Sequence, residues 1–361
     1  MIIGVPKEIK PGERRCAIAP AGVHQLVGDG HTVLVERSAG KGSGLADGAY
    51  RTAGAAVCDA REEVYQRADM VMKVKEPLDE EWPLLRPGQI VFTYLHLASS
   101  NTLTQALLDA GVVGVAYETI ERPGGDLPLL TPMSEIAGKL AMQEAAAALN
   151  VHRGGRGILI GGVPGVPPAE VVVLGCGTVG VSAVEVAVGL GAQVTVLDVN
   201  LDRLRHLNET MHGRCITVYS DPLTVERAAG YADVLIGAVL IPGARTPKLV
   251  TEAMVKGMKP GSVVMDVAID QGGCIETCEV TTHDKPYVLK HGVLHWGVPN
   301  MPAAVPRTAT LALTNATTPY ARKIAGLGLE EAAARYPEIA RGVNVRDGEI
   351  VHERVRAAFD G

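Results

Sequence analysis

Short runs rich in Val and Ile alternate with helical stretches along almost the whole chain, and few folds accommodate that order. The strand candidates are residues 2–5, 32–36, 70–74, 90–95 and 112–117, then 171–174, 194–197, 216–219, 234–239 and 263–269. They are apolar throughout rather than apolar on alternate residues, which predicts parallel strands covered on both faces. Strands that alternate with helices build right-handed βαβ units, so the expected class is α/β with doubly wound sheets. At 361 residues the chain exceeds one ordinary core and fits two such domains.

Two long helical segments interrupt the rhythm. Residues 134–149 are Ala-rich, and residues 306–325 form a second long stretch that Pro319 should kink or divide. Both are read as crossings between two lobes. The expected organisation is a discontinuous catalytic domain of residues 1–130 plus 306–361, and a cofactor-binding domain with linker helix over 131–305. Residues 154–168 carry too much Gly and Pro for a regular element.

Bulk properties narrow the function. A formal net charge of −6 without a basic cluster disfavours nucleic acid or an anionic membrane as partner. No apolar run approaches the length needed to span a bilayer, and the N-terminus lacks signal-peptide character. The 6 cysteines are scattered without metal or redox spacing, as in a protein with reduced thiols, so a soluble cytoplasmic protein is expected.

The strand at 171–174 runs into Gly175-Cys-Gly177-Thr178-Val179-Gly180 and then a helical stretch. This G-x-G-x-x-G order is the Rossmann fingerprint. Gly175 permits the tight turn, Gly177 admits a pyrophosphate to the backbone, and Gly180 lets the helix pack on the strand. The phosphates would meet the helix N-terminus. Asp198 ends the next strand, where a carboxylate can accept hydrogen bonds from the adenosine ribose and repel a 2′-phosphate, favouring NAD over NADP. Its alternative role is a helix cap or strand-end turn. Ser220, Val239, Leu240, Ala268, Ile269 and Asp270 follow at the C-terminal ends of later strands, where ligands dock in such sheets.

Catalytic candidates sit at the same kind of place. Asp270 lies beyond an apolar strand beside a Gly-rich turn, either near the nicotinamide or hydrogen-bonded to its own backbone. His96 ends a strand of the other lobe, as a structural or a catalytic histidine. Facing each other across a cleft, the two would suit proton transfer accompanying hydride transfer. Arg15 and Lys75 are either solvated surface charges or ligands of a substrate carboxylate.

Taken together, residues 3–8 (IGVPKE), 161–168 (GGVPGVPP), 237–243 (GAVLIPG), 266–274 (DVAIDQGGC) and 305–308 (VPRT) resemble the alanine dehydrogenase family. That family is related to the N-terminal domain of proton-translocating transhydrogenase. The resemblance covers nearly the whole chain. It implies Arg15 and Lys75 as substrate-carboxylate ligands and His96 with Asp270 as the acid/base pair. It also implies Ser134, Asp198, Arg203 and Ser220 as NAD contacts, with Val239, Leu240, Ala268, Ile269, Val298, Asn300 and Met301 near the nicotinamide. The implied reaction is reversible: L-alanine, NAD⁺ and water give pyruvate, ammonium and NADH. The implied assembly is a homohexamer.

The segment at 295–304 departs from the family pattern at Trp296, Pro299 and Ala303, where Tyr, Ala and Gly are usual. Glu279 stands where some members carry a basic residue, and Lys323 and Leu327 cannot reproduce the magnesium ligands of others, so no metal is expected. The rival readings are the soluble nucleotide-binding part of a transhydrogenase, a saccharopine- or cyclodeaminase-like enzyme, and an NAD sensor without turnover.

Overall fold

The computed structural model describes residues 1–239 and 246–359. In chain order its strands are β1 (Ile2–Val5), β2 (Thr32–Glu36), β3 (Ala56–Cys58), β4 (Met70–Met72), β5 (Ile90–Thr93) and β6 (Val113–Ala116). They continue as β7 (Glu170–Leu174), β8 (Gln193–Asp198), β9 (Ile216–Tyr219), β10 (Val234–Gly237), β11 (Val263–Asp266), β12 (Tyr287–Lys290) and β13 (Val293–Trp296). Near the end come β14 (Val343–Arg346) and β15 (Glu349–Ile350). The residues group into two compact units, Met1–Met133 with Val305–Gly361, and Ser134–Ala304.

The first unit holds an eight-stranded sheet in the order β15-β14-β6-β5-β4-β1-β2-β3. β1 through β6 are mutually parallel, while β14 pairs antiparallel with β6 and β15 with β14. The order reverses between β1 and β4, which makes their C-terminal ends the place where such a sheet opens a crevice. Ile3, Val5, Met70, Val71 and Met72 are fully buried there, as expected of strands covered on both faces.

The second unit carries a seven-stranded sheet, β12-β13-β11-β10-β7-β8-β9, parallel except for the β12 edge. Its reversal lies between β7 and β10. Two doubly wound, parallel-dominated sheets are therefore present, as expected for two Rossmann-like folds.

Residues Pro306–Leu327 form one helix with Pro319 inside it, so the proline does not divide the segment in two. Proline removes one backbone donor and frees the carbonyl four residues back. Pro319 and Asn315 are both exposed, so water can reach that carbonyl. Buried Leu313, Thr314, Thr317, Thr318, Ala321 and Ile324 hold the opposite face across the break. The helix groups wholly with the first unit. Thr310 Oγ1 accepts from Cys16 N at 2.9 Å and Thr314 Oγ1 from Ala19 N at 2.8 Å. The other long helix spans Thr131–Ala148.

Candidate active site

In the second unit the glycine turn follows β7. Gly175 has φ +102°, and a Cβ there would lie 2.6 Å from the Ala238 carbonyl oxygen. A Cβ on Gly180 would sit 1.9 Å from the Gly175 carbonyl oxygen, so the helix Thr178–Gly189 rests directly on the turn. Gly177 differs: a Cβ there would meet nothing within 4 Å. Its bare backbone leaves open the approach that a pyrophosphate needs, and it caps the helix without a side-chain hydrogen bond. Thr178 and Val179 supply the first turn, where donors and the positive dipole end face outward. These residues fit a nicotinamide dinucleotide, the cofactor class such a fold binds.

Asp198 closes β8 and is buried. Its Oδ2 accepts from Cys176 N at 2.6 Å and its Oδ1 from Asn200 N at 2.7 Å. The carboxylate thus ties the glycine turn to the end of β8, combining the turn role with a fixed presentation toward a ligand. Asn200, not Asp198, caps the next helix, Leu201–Thr210, which carries the exposed Arg203. Ser220 follows β9, its N–H bonded to the Asp198 carbonyl at 3.0 Å. Val239 follows β10, and Ser134 lies on the helix Thr131–Ala148. Leu240 lies outside the described residues.

Asp270 stands on an exposed turn, Ile269–Gln271, with Ala268 just before it. Its Oδ2 accepts from Asn300 N at 3.2 Å, so it reaches the loop of Val298 and Met301 instead of capping its own turn. The turn is held by Asp266, a residue the sequence reading passed over. This fully buried carboxylate accepts from Ala268 N, Cys274 N and Ile275 N at 3.2, 3.3 and 2.9 Å. Burial nevertheless raises its pKa, against the lowering effect of those N–H groups. Of the unusual loop residues, Trp296 and Ala303 are buried, and Glu279 is paired with Lys290 at 2.8 Å.

In the first unit, the loop after β1 carries Arg15, whose side chain is 2 % exposed. It is no solvated surface charge. Glu13 grips it in a two-point fork, Nε to Oε1 at 2.7 Å and Nη2 to Oε2 at 2.6 Å, and Nη1 meets Met133 Sδ at 3.2 Å. Lys75 follows β4 and is half-buried. Burial, then the nearby Arg15 and Lys10, lower its pKa from 10.5. Two cations are thus confined near one another, which is what a carboxylate substrate would relieve.

Lys75 is placed from behind. Glu8 Oε1 accepts from Val74 N at 2.6 Å and from Lys75 N at 3.4 Å. Glu8 also pairs with the fully buried Lys73, which bonds Glu81 in turn at 2.9 Å. Burial raises the Glu8 pKa despite Lys73.

His96 follows β5 with its side chain about half exposed, stacked on Tyr94 with ring centroids 5.9 Å apart. Tyr94 Oη donates to the Leu129 carbonyl at 2.5 Å. Glu118, after β6, receives the His96 N–H at 2.6 Å. Arg15, Lys75 and His96 therefore belong to one unit and follow β1, β4 and β5, while Asp270 belongs to the other. The sequence reading missed Glu8, Glu13 and Glu118. Glu8 and Glu118 bind partners distant in sequence and Glu13 a neighbour two residues on, and their acidic character carried no other signal.

Comparison with known proteins accords with this arrangement. Residues 4–137 match the family described as alanine dehydrogenase/PNT, N-terminal domain, and residues 141–353 match its C-terminal domain. The alanine dehydrogenase of Methanococcus maripaludis is 52 % identical over 361 residues, covering 100 % of this chain and 97 % of that one. That of Staphylococcus haemolyticus is 52 % identical over 360 residues, covering 99 % and 96 %. Among solved structures, an L-alanine dehydrogenase superimposes with a TM-score of 0.97 at 50 % identity, covering 100 % of this chain and 99 % of that one. A transhydrogenase from Sinorhizobium meliloti gives 0.83 at 26 % identity, covering 98 % and 99 %.

Proposed function

The chain belongs to the alanine dehydrogenase/PNT family, and on that premise we propose that Arg15 and Lys75 hold the carboxylate of L-alanine while His96 and Asp270 move protons. The enzyme oxidises L-alanine with NAD⁺ and water to pyruvate, ammonium and NADH, reversibly. Identity of 52 % to alanine dehydrogenases over the full chain carries this reading, against 26 % to a transhydrogenase. The confined pair Arg15 and Lys75 supports it further, because transfer between two nucleotides has no use for a carboxylate clamp.

When bound, the nicotinamide accepts hydride from the substrate Cα. Gly175, Gly177, Thr178, Val179 and Gly180 cradle its pyrophosphate, with Asp198 at the adenosine ribose selecting NAD over NADP. Ser134, Arg203, Ser220, Val239, Leu240, Ala268, Ile269, Val298, Asn300 and Met301 complete the binding surface. Arg15 and Lys75 fix the carboxylate so that the Cα–H bond can be aimed. Loss of hydride and an amine proton leaves an imine, to which water adds. His96 and Asp270 take the two protons that this water loses in becoming the carbonyl oxygen and return one to the departing amine, giving pyruvate and ammonia, which is protonated to ammonium on release. We assign no metal to this chemistry. The enzyme acts in the cytoplasm, in keeping with its free cysteines, as a homohexamer.

Absorbance of NADH, followed with purified protein, NAD⁺ and L-alanine at alkaline pH, tests the reading. L-Alanine should drive rapid NADH formation and NADP⁺ should substitute poorly. Transfer from NADH to a nicotinamide analogue, with no turnover on any amino acid, would instead make the protein a transhydrogenase component.

A further inference from the structure

His96 has a backbone conformation that ordinary residues avoid. Its φ is 49° and its ψ 38°, in the left-handed region, where a side chain crowds the following carbonyl. Such a conformation persists at a working residue only when its surroundings hold it there. Glu118, in the turn Tyr117–Thr119 after β6, does the holding. Its Oε1 accepts from His96 N at 2.6 Å and from Leu95 N at 3.2 Å, and its Oε2 lies 3.3 Å from the same Leu95 N. Two successive N–H groups thus converge on one largely shielded carboxylate, whose side chain is 15 % exposed. On the far side of the residue, Ser99 Oγ donates to the His96 carbonyl at 2.7 Å.

The ring is constrained as well. Tyr94 stacks on it with an interplanar angle of 4°. Glu118 Oε1 faces Nδ1 at 3.8 Å, an ionic approach too long for a hydrogen bond. Glu118 therefore occupies the Nδ1 edge, and Nε2 is the nitrogen left at the far edge of the ring.

We propose that Glu118 is the positioning residue of His96: it locks the left-handed backbone at the end of β5 and reserves Nε2 for proton transfer with the substrate. The inference rests on the acid/base reading of His96, and its test separates the two. Glu118→Gln keeps an oxygen for the backbone N–H groups but loses the charge facing Nδ1, so the fold should survive. Its kcat should fall roughly 10- to 100-fold, the cost of a small misplacement of a reacting group. The Michaelis constant for pyruvate should stay within about twofold, since Arg15 and Lys75 are untouched.

A double-mutant cycle with His96→Ala provides the decisive comparison. If Glu118 acts through His96, Glu118→Gln should add no further loss in the His96→Ala background. Equal fold-losses in both backgrounds, or no loss in either, would overturn the inference while leaving His96 in its role. Full turnover of His96→Ala would overturn the acid/base reading itself. Crystal structures of Glu118→Gln and Glu118→Ala decide the positioning claim independently of activity. In Glu118→Gln the ring should turn off Tyr94 while the backbone stays left-handed. In Glu118→Ala, which also removes the acceptor, residue 96 should leave the left-handed region, and a residue 96 unchanged in both would refute the claim.

Discussion

Glu13 holds Arg15 along one edge, taking its Nε and Nη2 in a two-point fork, which leaves Nη1 as the group to meet the proposed carboxylate. A lysine cannot present two parallel N–H groups from a rigid plane. Arg15→Lys should therefore raise the Michaelis constant for pyruvate by roughly 10- to 100-fold, the worth of charged hydrogen bonds, with a smaller change in kcat. An unchanged constant in steady-state assays would remove Arg15 from the carboxylate site. Lys75 makes a prediction in pH. Burial lowers its pKa from 10.5, aided by Arg15 and Lys10, so the free enzyme loses this cation at lower pH than an ordinary lysine. A bound carboxylate favours the charged form, so binding must weaken as pH rises through the lowered value. The dissociation constant of pyruvate from the enzyme–NADH complex, titrated by fluorescence, should begin to climb below pH 10.5. In Lys75→Arg the climb should vanish, and a wild-type curve flat to that pH would contradict the assignment.

At the scale of the elements, the three glycines after β7 separate binding from folding. A methyl group on Gly180 would overlap the Gly175 carbonyl, whereas one on Gly177 would enter open space. Gly180→Ala should lower stability, by about 1–3 kcal/mol as overpacking commonly does, in denaturant unfolding of the apoprotein. Gly177→Val should leave apoprotein stability within about 0.5 kcal/mol and weaken NADH binding instead. Calorimetry that finds normal NADH affinity in Gly177→Val would place the pyrophosphate elsewhere. The glycines were legible in sequence because their spacing is local, and so were most of the inner parallel strands, whose apolar runs need no partner to be recognised. β1, β2 and β9 coincide with the expected ranges, while several others stop one to three residues short. The missed strands escaped for different physical reasons. β12 and β15 are sheet edges that mix polar and apolar residues, β3 is an edge of only three residues, and the inner β13 was missed because His295 interrupts its short apolar run. β14 pairs with β6 more than two hundred residues away, beyond any local pattern. Pro319 marked a break that packing on the buried face and solvent at the exposed face make unnecessary. Asp266 and Glu118 escaped for the same reason as β14: what each carboxylate does depends on backbone N–H groups that only the folded turn brings together.

For the whole molecule, the segment that carries too much Gly and Pro for regular structure is also where apolar side chains face outward. Leu159, Val163 and Val166 are 63, 54 and 59 % exposed. Single exposed apolar residues are ordinary, whereas several on one segment are what the proposed contact between copies would cover. The turn is rigid, since Val163 and Val166 exchange both backbone hydrogen bonds, at 3.2 and 2.8 Å. A net charge of −6 per chain opposes indiscriminate association, so a defined contact between copies is the better account of this segment than aggregation. The proposed homohexamer gives a direct prediction: sedimentation should find a particle of six 37.8 kDa chains. Replacing Val163 and Val166 with Lys puts charge where a partner's apolar surface would lie, and this double variant should sediment as a smaller species. Its NADH affinity should persist, because the glycine turn, Asp198 and the Asp270 loop are formed within the second unit. A wild-type monomer would dismiss the hexamer, whereas a double variant that stays hexameric would move the contact to another face of the subunit.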